Sequence, residues 1–334
     1  MSQPFASVVV VAYNSARTLG ETLDSLAALD YPDYEVLVVD GGSTDGTVEL
    51  ARSREGVRVL RADGATIGAC RNRGVEAARG DYVAFTDSDC AVPPDWLTRH
   101  VARLREHEGG RIVGVGGPNR AFADDPPFAK LVEHVQGTVF GSGGSPQSRD
   151  IADVREVGSV AACNVCYDAS VFDAHRYDDA VNVGEDAEFH HRLARAGYRF
   201  VYDPSNRVSH HLSASLGAVA RKSRSYGYAM ARVQRRHRRM VRWYSPLPSL
   251  GLLAGAGALV GALATRRIRA LLAFVALFVP VALYVTATGL RELRHPVALL
   301  APAVLVAQYA CYGVGFLGGL AARDPWPVET TERR

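Results

Sequence analysis

The residue types best suited to chemistry in this chain are carboxylates. Asp87-Ser88-Asp89 follows the apolar run Tyr82-Val83-Ala84-Phe85-Thr86, which reads as a β-strand delivering both acids at its carboxyl end. Carboxylates presented in this way suit Mn2+ or Mg2+ held together with substrate phosphates. Alone, such a triplet is an ordinary acidic turn; the strand before it sets this one apart. Asp40 closes a second strand-like run, 34–39. Glu185-Asp186 opens a helical pattern with Phe189, Leu193 and Ala196 on its apolar face, stopping at Gly197. Acids are favoured at any helix start, so the pair reads as a cap or as a proton acceptor. His210 and His211 form a pair at a strand end, whereas His190 and His191 lie inside a helix and read as surface residues. Of the 5 cysteines, Cys163 and Cys166 make a single CxxC. Zinc usually takes four ligands, so the plainer expectation is reduced, partly buried thiols in a cytosolic domain.

Those side chains need a scaffold, and the first third of the chain supplies an alternating pattern. Strand-like runs at 6–12, 34–39, 57–60 and 81–86 alternate with helix-like stretches at 15–29, 45–54 and 66–79, and Pro93-Pro94-Asp95-Trp96 opens another helix. Alternation of this kind predicts an α/β fold, a mostly parallel sheet with helices on both faces. Such sheets bind ligands beyond the carboxyl ends of their strands, where Asp40 and Asp87 fall. Residues 118–160 look irregular, and the Gly/Ser-rich stretch from Gly137 to Ser148 reads as a mobile loop, either a lid or plain surface.

The last third changes character. Segments 246–264, 270–290 and 297–322 are nearly uncharged and rich in Leu, Ala, Val and Gly. Each is long enough for a bilayer, which needs roughly 20 residues. Before them stand Arg232, Arg235, Arg236, Arg238, Arg239 and Arg242, then Trp243-Tyr244. Arginines flanking a span stay cytoplasmic, and aromatic residues sit at the interface. The net charge of +3 says little about partners, and a nucleic-acid patch ranks below the membrane reading because arginines flanking a span need no further cause. The expected organisation is a catalytic domain over 1–228, a basic juxtamembrane segment over 229–245, two to three membrane helices over 246–322 and a tail over 323–334. No secretory signal is expected, since the apolar run near Met1 is short and lacks a basic start. An integral protein of the cell membrane with its catalytic domain in the cytoplasm follows. The Arg266–Arg269 turn strains a three-span topology, which makes a re-entrant first segment the alternative.

Five stretches together resemble the family 2 glycosyltransferases with a nucleotide-binding GT-A fold. They are Val9 to Asn14, Val38 to Asp45, Gly68 to Gly74, the strand ending in Asp87-Ser88-Asp89, and Gly184-Glu185-Asp186 followed by Arg192-Leu193 and Gly197-Tyr198. They fall in the family's order across about residues 6 to 228. The resemblance implies a nucleotide-diphosphate sugar as donor, with Tyr13, Asn14, Asp40, Arg71, Asp87 and Ser88 binding it. It implies Asp89 as main ligand of Mn2+ or Mg2+, with Asp87 nearer the ribose and His210 near metal or diphosphate. Asp186 is the implied catalytic base, Glu185 its orienting neighbour, and Gly158 and Asn164 border the acceptor. The expected reaction inverts configuration, and the membrane anchor points to a lipid-linked or polysaccharide acceptor among membrane lipid.

Two departures stand out. The family often has a second Asp where this chain has Gly41, which leaves the nucleotide open. The Gln-x-x-Arg-Trp motif of processive synthases is missing, so one sugar per visit is expected. A polyprenyl-phosphate acceptor is the alternative within the family. A sugar nucleotidyltransferase would carry a Gly-rich loop with a basic residue after its first strand, where this chain has Tyr13-Asn14-Ser15-Ala16-Arg17. A non-catalytic membrane scaffold would have no need of Asp87, Asp89 and Asp186.

Overall fold

A computed structural model describes residues 3–141, 151–240, 245–266 and 268–323. Arg242, Trp243 and Tyr244, the 323–334 tail beyond Arg323, and the 142–148 part of the Gly/Ser-rich stretch lie outside the described residues. The chain forms two compact units. The first holds the described residues up to Phe122 and from Ile151 to His211; the second holds Ala123 to Gly141 and the residues from Leu212 onward.

The first unit begins with β1 (Ala6–Ala12), α1 (Leu19–Ala27), β2 (Tyr34–Asp40), α2 (Thr47–Arg52), β3 (Val57–Arg61), α3 (Ile67–Ala77), β4 (Tyr82–Asp87), β5 (Cys90–Ala91), α4 (Trp96–Arg105), β6 (Ile112–Gly116) and β7 (Asn119–Arg120). After α5 (Pro127–Gly137), which belongs to the second unit, it resumes with β8 (Arg155–Val157), β9 (Asn164–Asp168), α6 (Val171–Ala174), α7 (Glu185–Arg195), β10 (Arg199–Tyr202) and β11 (Val208–His210). Eight strands form one sheet in the order β3-β2-β1-β4-β9-β6-β10-β8. β9 runs against both β4 and β6, and β8 runs against β10; the others run one way, so the sheet is mixed but mainly parallel. The run of valines in β1 reflects burial on both faces. Val8 and Val10 join one core layer with Leu19, Leu23 and Leu26, while Val9 joins the other with Phe85 and Phe189. Each fully buried valine contributes on the order of 1.5–3 kcal/mol. Gly74 lets α3 lie directly on β1, since a Cβ there would stand 2.4 Å from Val9 Cγ1.

Two expectations need correcting here. The stretch read as irregular, 118–160, contains α5, whose Leu131, Val132 and Val135 pack within the second unit rather than on the sheet. His190 is not a surface residue. It is fully buried, with Nδ1 at 2.9 Å from Ser159 Oγ and Nε2 at 2.6 Å from the Tyr167 hydroxyl. The helix turns His190 inward with Phe189 and Leu193, against Phe200.

The second unit is helical: α5, then α8 (Leu216–Arg236), α9 (Leu247–Thr265), α10 (Arg269–Ala276), α11 (Val279–Leu293) and α12 (Ala301–Ala321). Three stretches, Leu247–Thr265, Arg269–Leu293 and Pro296–Ala321, are long and apolar enough to cross a membrane. The middle one is interrupted before Pro280, which has no N–H to give and crowds the preceding turn. Leu253, Leu263, Leu277 and Leu283 stand exposed on them, the kind of surface that lipid covers. The boundary expected at 228 falls inside α8, which packs along α12: a Cβ on Gly315 would stand 2.0 Å from the Arg224 carbonyl oxygen. The basic cluster divides its tasks. Arg232 is buried over the Tyr228 ring, Arg235 donates to the Gly319, Leu320 and Ala322 carbonyls at the end of α12, and Arg236, Arg238 and Arg239 are exposed.

Two fully buried histidines make the first unit acid-sensitive. Burial pushes His100 down to about 4, against the hydrogen bond with Asn164, and pushes His190 down to about 3, assisted by the charge of Arg71. In the unfolded chain both take protons near 6.5, so their stabilisation is complete above that pH and is lost as pH falls towards 4. Each contributes about 1.4 kcal/mol per pH unit in that window. His100→Gln keeps a donor for Asn164 and removes one proton site. Urea unfolding in detergent from pH 6.5 to about 5 should show a slope lower by that amount. An unchanged slope would contradict the neutral, buried His100.

Candidate active site

The register of the parallel strands builds the site edge. Ala12 pairs with Asp40 across β1 and β2, and Val11 pairs with Asp87 across β1 and β4. Tyr13, Asp40 and Asp87 therefore leave the sheet at the same edge. The loops that follow are tied together by side chains. Ser15 Oγ lies 2.8 Å from Ser88 Oγ, Asn14 N donates to Ser43 Oγ, and Thr44 N donates to Asn14 Oδ1. Asn14 adopts φ 48, a left-handed conformation that asparagine tolerates. Ser88 is thus tied to Ser15, a link with no sequence signal beyond the serine following Tyr13-Asn14.

Asp40 is fully buried. Its Oδ2 accepts from Gly42 N and Ser43 N, both at 3.0 Å, while Oδ1 is buried with no partner among the described residues. An acceptor left so is costly, and a donor N–H from a ligand would satisfy it. Gly41 is not imposed by crowding, because a Cβ there would meet Tyr13 Cδ2 at 3.6 Å and Cys70 Sγ at 3.7 Å, ordinary contacts.

Arg71 occupies the centre. It is 2 % exposed, with Nε donating to Glu185 Oε1 and a terminal nitrogen to Asp87 Oδ1, both at 3.1 Å. Its guanidinium also lies 5.2 Å from the Phe85 ring centroid and 6.0 Å from that of Tyr177. Burial opposes its charge, but Asp87 and Glu185 outweigh that and hold its pKa above the ordinary arginine value. The remaining nitrogen, NH1, is buried without a partner among the described residues. Arg71 is thus engaged by protein carboxylates, with that one nitrogen left for another acceptor.

Glu185 and Asp186 start α7, where Gly184 at φ 77 turns the chain into the helix. Burial pushes Glu185 up to about 7 against the pull of Arg71. Burial raises Asp186 as well, against the Ala187 N–H bond and Arg71. Glu185 is closed in by its bond to Arg71, whereas Asp186 is only partly buried. Asp87, Glu185 and Asp186 all act on the single Arg71 cation. This surplus of negative charge, with Asp87 and Asp89 side chains 35% and 39% exposed, fits a hard divalent cation such as Mn2+ or Mg2+.

A second, three-stranded sheet, β5-β11-β7, brings in the histidine. His210 pairs with Cys90 across β5 and β11, which sets its Nε2 3.4 Å from Asp89 Oδ1. His211 turns elsewhere, to Glu21 and onto the Phe122 ring. The two residues expected near an acceptor stand differently. Gly158 is exposed with open space around it. Asn164 is fully buried, accepting from Trp96 Nε1 and bonding His100 through Oδ1 while donating to the Pro118 and Asn206 carbonyls. All its capacity is used in bracing the fold, so it leaves nothing for an acceptor. The CxxC does not act as a unit either: Cys166 packs in a core layer, and Cys163 joins Cys90 instead.

Replacing Arg71 by Met strands Glu185 in a buried setting and leaves the partly exposed Asp87 without its bridge. Loss of one partner of such a bridge costs about 3–5 kcal/mol, and Arg71→Lys, which reaches one carboxylate but not both, should fall between. Denaturant titration of the three proteins in detergent checks this order; equal stability of Arg71→Met and wild type would refute the bridge.

The sequence matches the family model "Glycosyl transferase family 2" over residues 7–138 and "Glycosyl transferase family group 2" over residues 82–311, more than half of the chain. A glycosyltransferase of Haloferax volcanii, AglE, is 38% identical over 121 residues, which are 34% of this chain and 39% of that protein. A poly(ribitol-phosphate) beta-glucosyltransferase of Bacillus spizizenii is 31% identical over 142 residues, 38% of this chain and 22% of that protein. The chain thus spans well under half the length of these relatives. A mannosyltransferase of Pyrobaculum calidifontis, solved in complex with GDP-Man and Mn2+, superposes with TM-score 0.57 at 17% identity, covering 96% of this chain and 88% of the other. That likeness shows the GT-A-type fold. The order of motifs along the strand edge and the match across most of its length agree: this chain belongs to glycosyl transferase family 2.

Proposed function

We propose that the chain transfers a sugar from a nucleotide-diphosphate sugar to a hydroxyl of a membrane- or lipid-linked acceptor, with inversion at the anomeric carbon. The observation that carries this reading is Asp186: a partly buried carboxyl of raised pKa, one residue from the Glu185 that Arg71 ties to Asp87. A carboxylate whose basicity is raised by burial is suited to take the acceptor's proton. In the proposed step Asp186 accepts the hydroxyl proton as that oxygen attacks the anomeric carbon. The bond to the diphosphate breaks on the opposite side, so configuration inverts. Arg71 holds Asp87 and Glu185 in place, and its unpartnered nitrogen is the donor available to the leaving group. The buried, unpartnered Asp40 Oδ1 is the acceptor available to a base N–H. Asp89, Asp87 and His210 would hold Mn2+ or Mg2+, which neutralises the charge developing on the departing diphosphate. The Pyrobaculum neighbour, solved with GDP-Man and Mn2+, supports the donor class and the ion.

A hydroxyl acceptor is preferred to a polyprenyl phosphate for a chemical reason. A phosphate is already largely ionised near neutral pH, so it has little need of a base such as Asp186. The name of the Bacillus spizizenii relative, a poly(ribitol-phosphate) glucosyltransferase, supports polymeric acceptors as well.

Asp186→Asn should bind donor and Mn2+ as wild type does and transfer at a rate lower by at least ~100-fold, the scale of general-base catalysis. Asp89→Ala should instead weaken metal-dependent donor binding. Titration calorimetry with the nucleotide diphosphate, beside a transfer assay, separates the two; normal transfer by Asp186→Asn removes the base assignment. The exposed Arg236, Arg238 and Arg239 before α9 support a cytoplasmic location for this segment in the same proposal. In sealed inside-out vesicles, protease should reach residues 3–211, while right-side-out vesicles protect them; the reverse pattern would sink this orientation.

A further inference from the structure

We infer that Cys90, Cys163 and His210 form a thiol-based site for a soft divalent cation of the Zn2+ class, completed by Asp89, which shares Asp89 and His210 with the proposed Mn2+/Mg2+ site and differs from it by its two sulfurs. The two sulfurs and a His210 ring nitrogen lie within 4.8 Å of one another. Asp89 Oδ1 stands 3.9 Å from Cys90 Sγ and 3.4 Å from His210 Nε2. In a zinc tetrahedron with Zn–S and Zn–N bonds of ordinary length, neighbouring ligand atoms lie on the order of 3.3–3.8 Å apart. Closing Cys90, Cys163 and His210 to that geometry takes side-chain adjustments on the order of 1 Å, and the more exposed Asp89 has further to turn to complete it.

Several features of the fold hold these groups in place. Cys90 and His210 are direct partners across β5 and β11, so backbone pairing sets their spacing. Cys163 sits in the turn entering β9, and its carbonyl accepts from Thr86 Oγ1 at 3.1 Å, one residue before Asp87. Both thiols are buried, Cys90 at 0% and Cys163 at 5% exposure, while Asp89 stays open to solvent as an entry point. A further feature is Asn119, whose side-chain nitrogen lies 3.3 Å from His210 Nδ1 and whose Oδ1 is buried without a partner among the described residues. Amide oxygen and nitrogen are interchangeable by a flip. The flipped amide accepts Nδ1–H and turns the Nε2 lone pair towards Asp89, the second contact that metal-ligating histidines usually have. Thiolate sulfur selects Zn2+ over the hard Mg2+ and Mn2+ ions. Two thiolates, an imidazole and a carboxylate make a four-coordinate set without substrate. Filling it engages Asp89 and His210, both proposed above to hold the donor's metal, so the soft cation would compete with that metal. That consequence, unlike the site itself, rests on the proposed roles of Asp89 and His210.

The test uses the full chain in detergent, reduced with a phosphine and loaded with Co2+ as a spectroscopic stand-in for Zn2+. The expected result is one Co2+ per chain with a thiolate-to-cobalt charge-transfer band, displaced by Zn2+. Cys163→Ser and Cys90→Ser should each lose the band and weaken Zn2+ binding by more than ~100-fold, beyond the cost of losing an outer partner. Cys311→Ser, in the helical unit, should keep it. Thermal melts by circular dichroism show whether each variant is folded. A wild type without the band, a Cys163→Ser protein that retains it, or a Cys90–Cys163 disulfide as the only state isolated overturns the site. A second readout is Zn2+ inhibition of Mn2+-supported transfer, relieved at least tenfold in Cys163→Ser. An intact band without inhibition leaves the thiol site standing and removes Asp89 and His210 from the donor's metal.

Discussion

The buried guanidinium of Arg71 is the interaction on which the site depends. It joins the end of β4 to the start of α7 through Asp87 and Glu185, two elements nearly a hundred residues apart in the chain. Three carboxylates gathered at a sheet edge repel one another, and desolvation makes that worse. One cation between them makes the gathering tolerable, yet it leaves negative charge in excess. That excess suits a divalent ion, and burial above all, with the neighbouring carboxylates adding to it, keeps the carboxyls of Glu185 and Asp186 above their ordinary pKa. The aromatic rings of Phe85 and Tyr177 face the same cation, so the core layer that carries the sheet also fixes its position.

Around that centre the site is assembled by backbone pairing more than by packing. The parallel register aligns Asp40 and Asp87 with the end of β1, and the short antiparallel pairing of β5 with β11 sets His210 opposite Cys90. A strand pairing slipped by one residue would turn each of these side chains to the other face. The loops have little apolar surface to hold them and rely on hydroxyl and amide bonds, such as Ser15 to Ser88 and Asn14 to Ser43 and Thr44. Asn164 performs the same service on the other side, where its four bonds brace α4 and the turns at Pro118 and Asn206.

The helical unit follows another logic. Its apolar helices keep large side chains on the outside, which water would not favour and lipid would. Where it packs, it packs closely, with Gly315 of α12 against the backbone of α8 and α5 wedged among Val219, Val285 and Val304. The arginines before α9 divide between structure and surface. Arg235 closes the end of α12, so a basic residue that looks like a lipid anchor in a list of charges is also a helix cap.

The sequence by itself determined the local elements and the candidates for the reactive groups. Short continuous apolar runs placed β1, β2 and β4 almost to the residue, and the carboxylates at their ends were legible because a strand must deliver its last residue to an edge. The three apolar stretches were legible from length alone. Position in space was not. Whether His190 is buried, whether Asn164 braces the fold or faces a ligand, and whether α5 packs on the sheet or among helices depend on contacts between residues distant in the chain, which periodicity does not encode. The same holds for Cys163. In sequence it is paired with Cys166, but a spacing of three on an extended chain sends the two side chains to opposite faces. Only the pairing of β5 with β11 sets Cys90 opposite His210, and only the turn before β9 brings Cys163 to them.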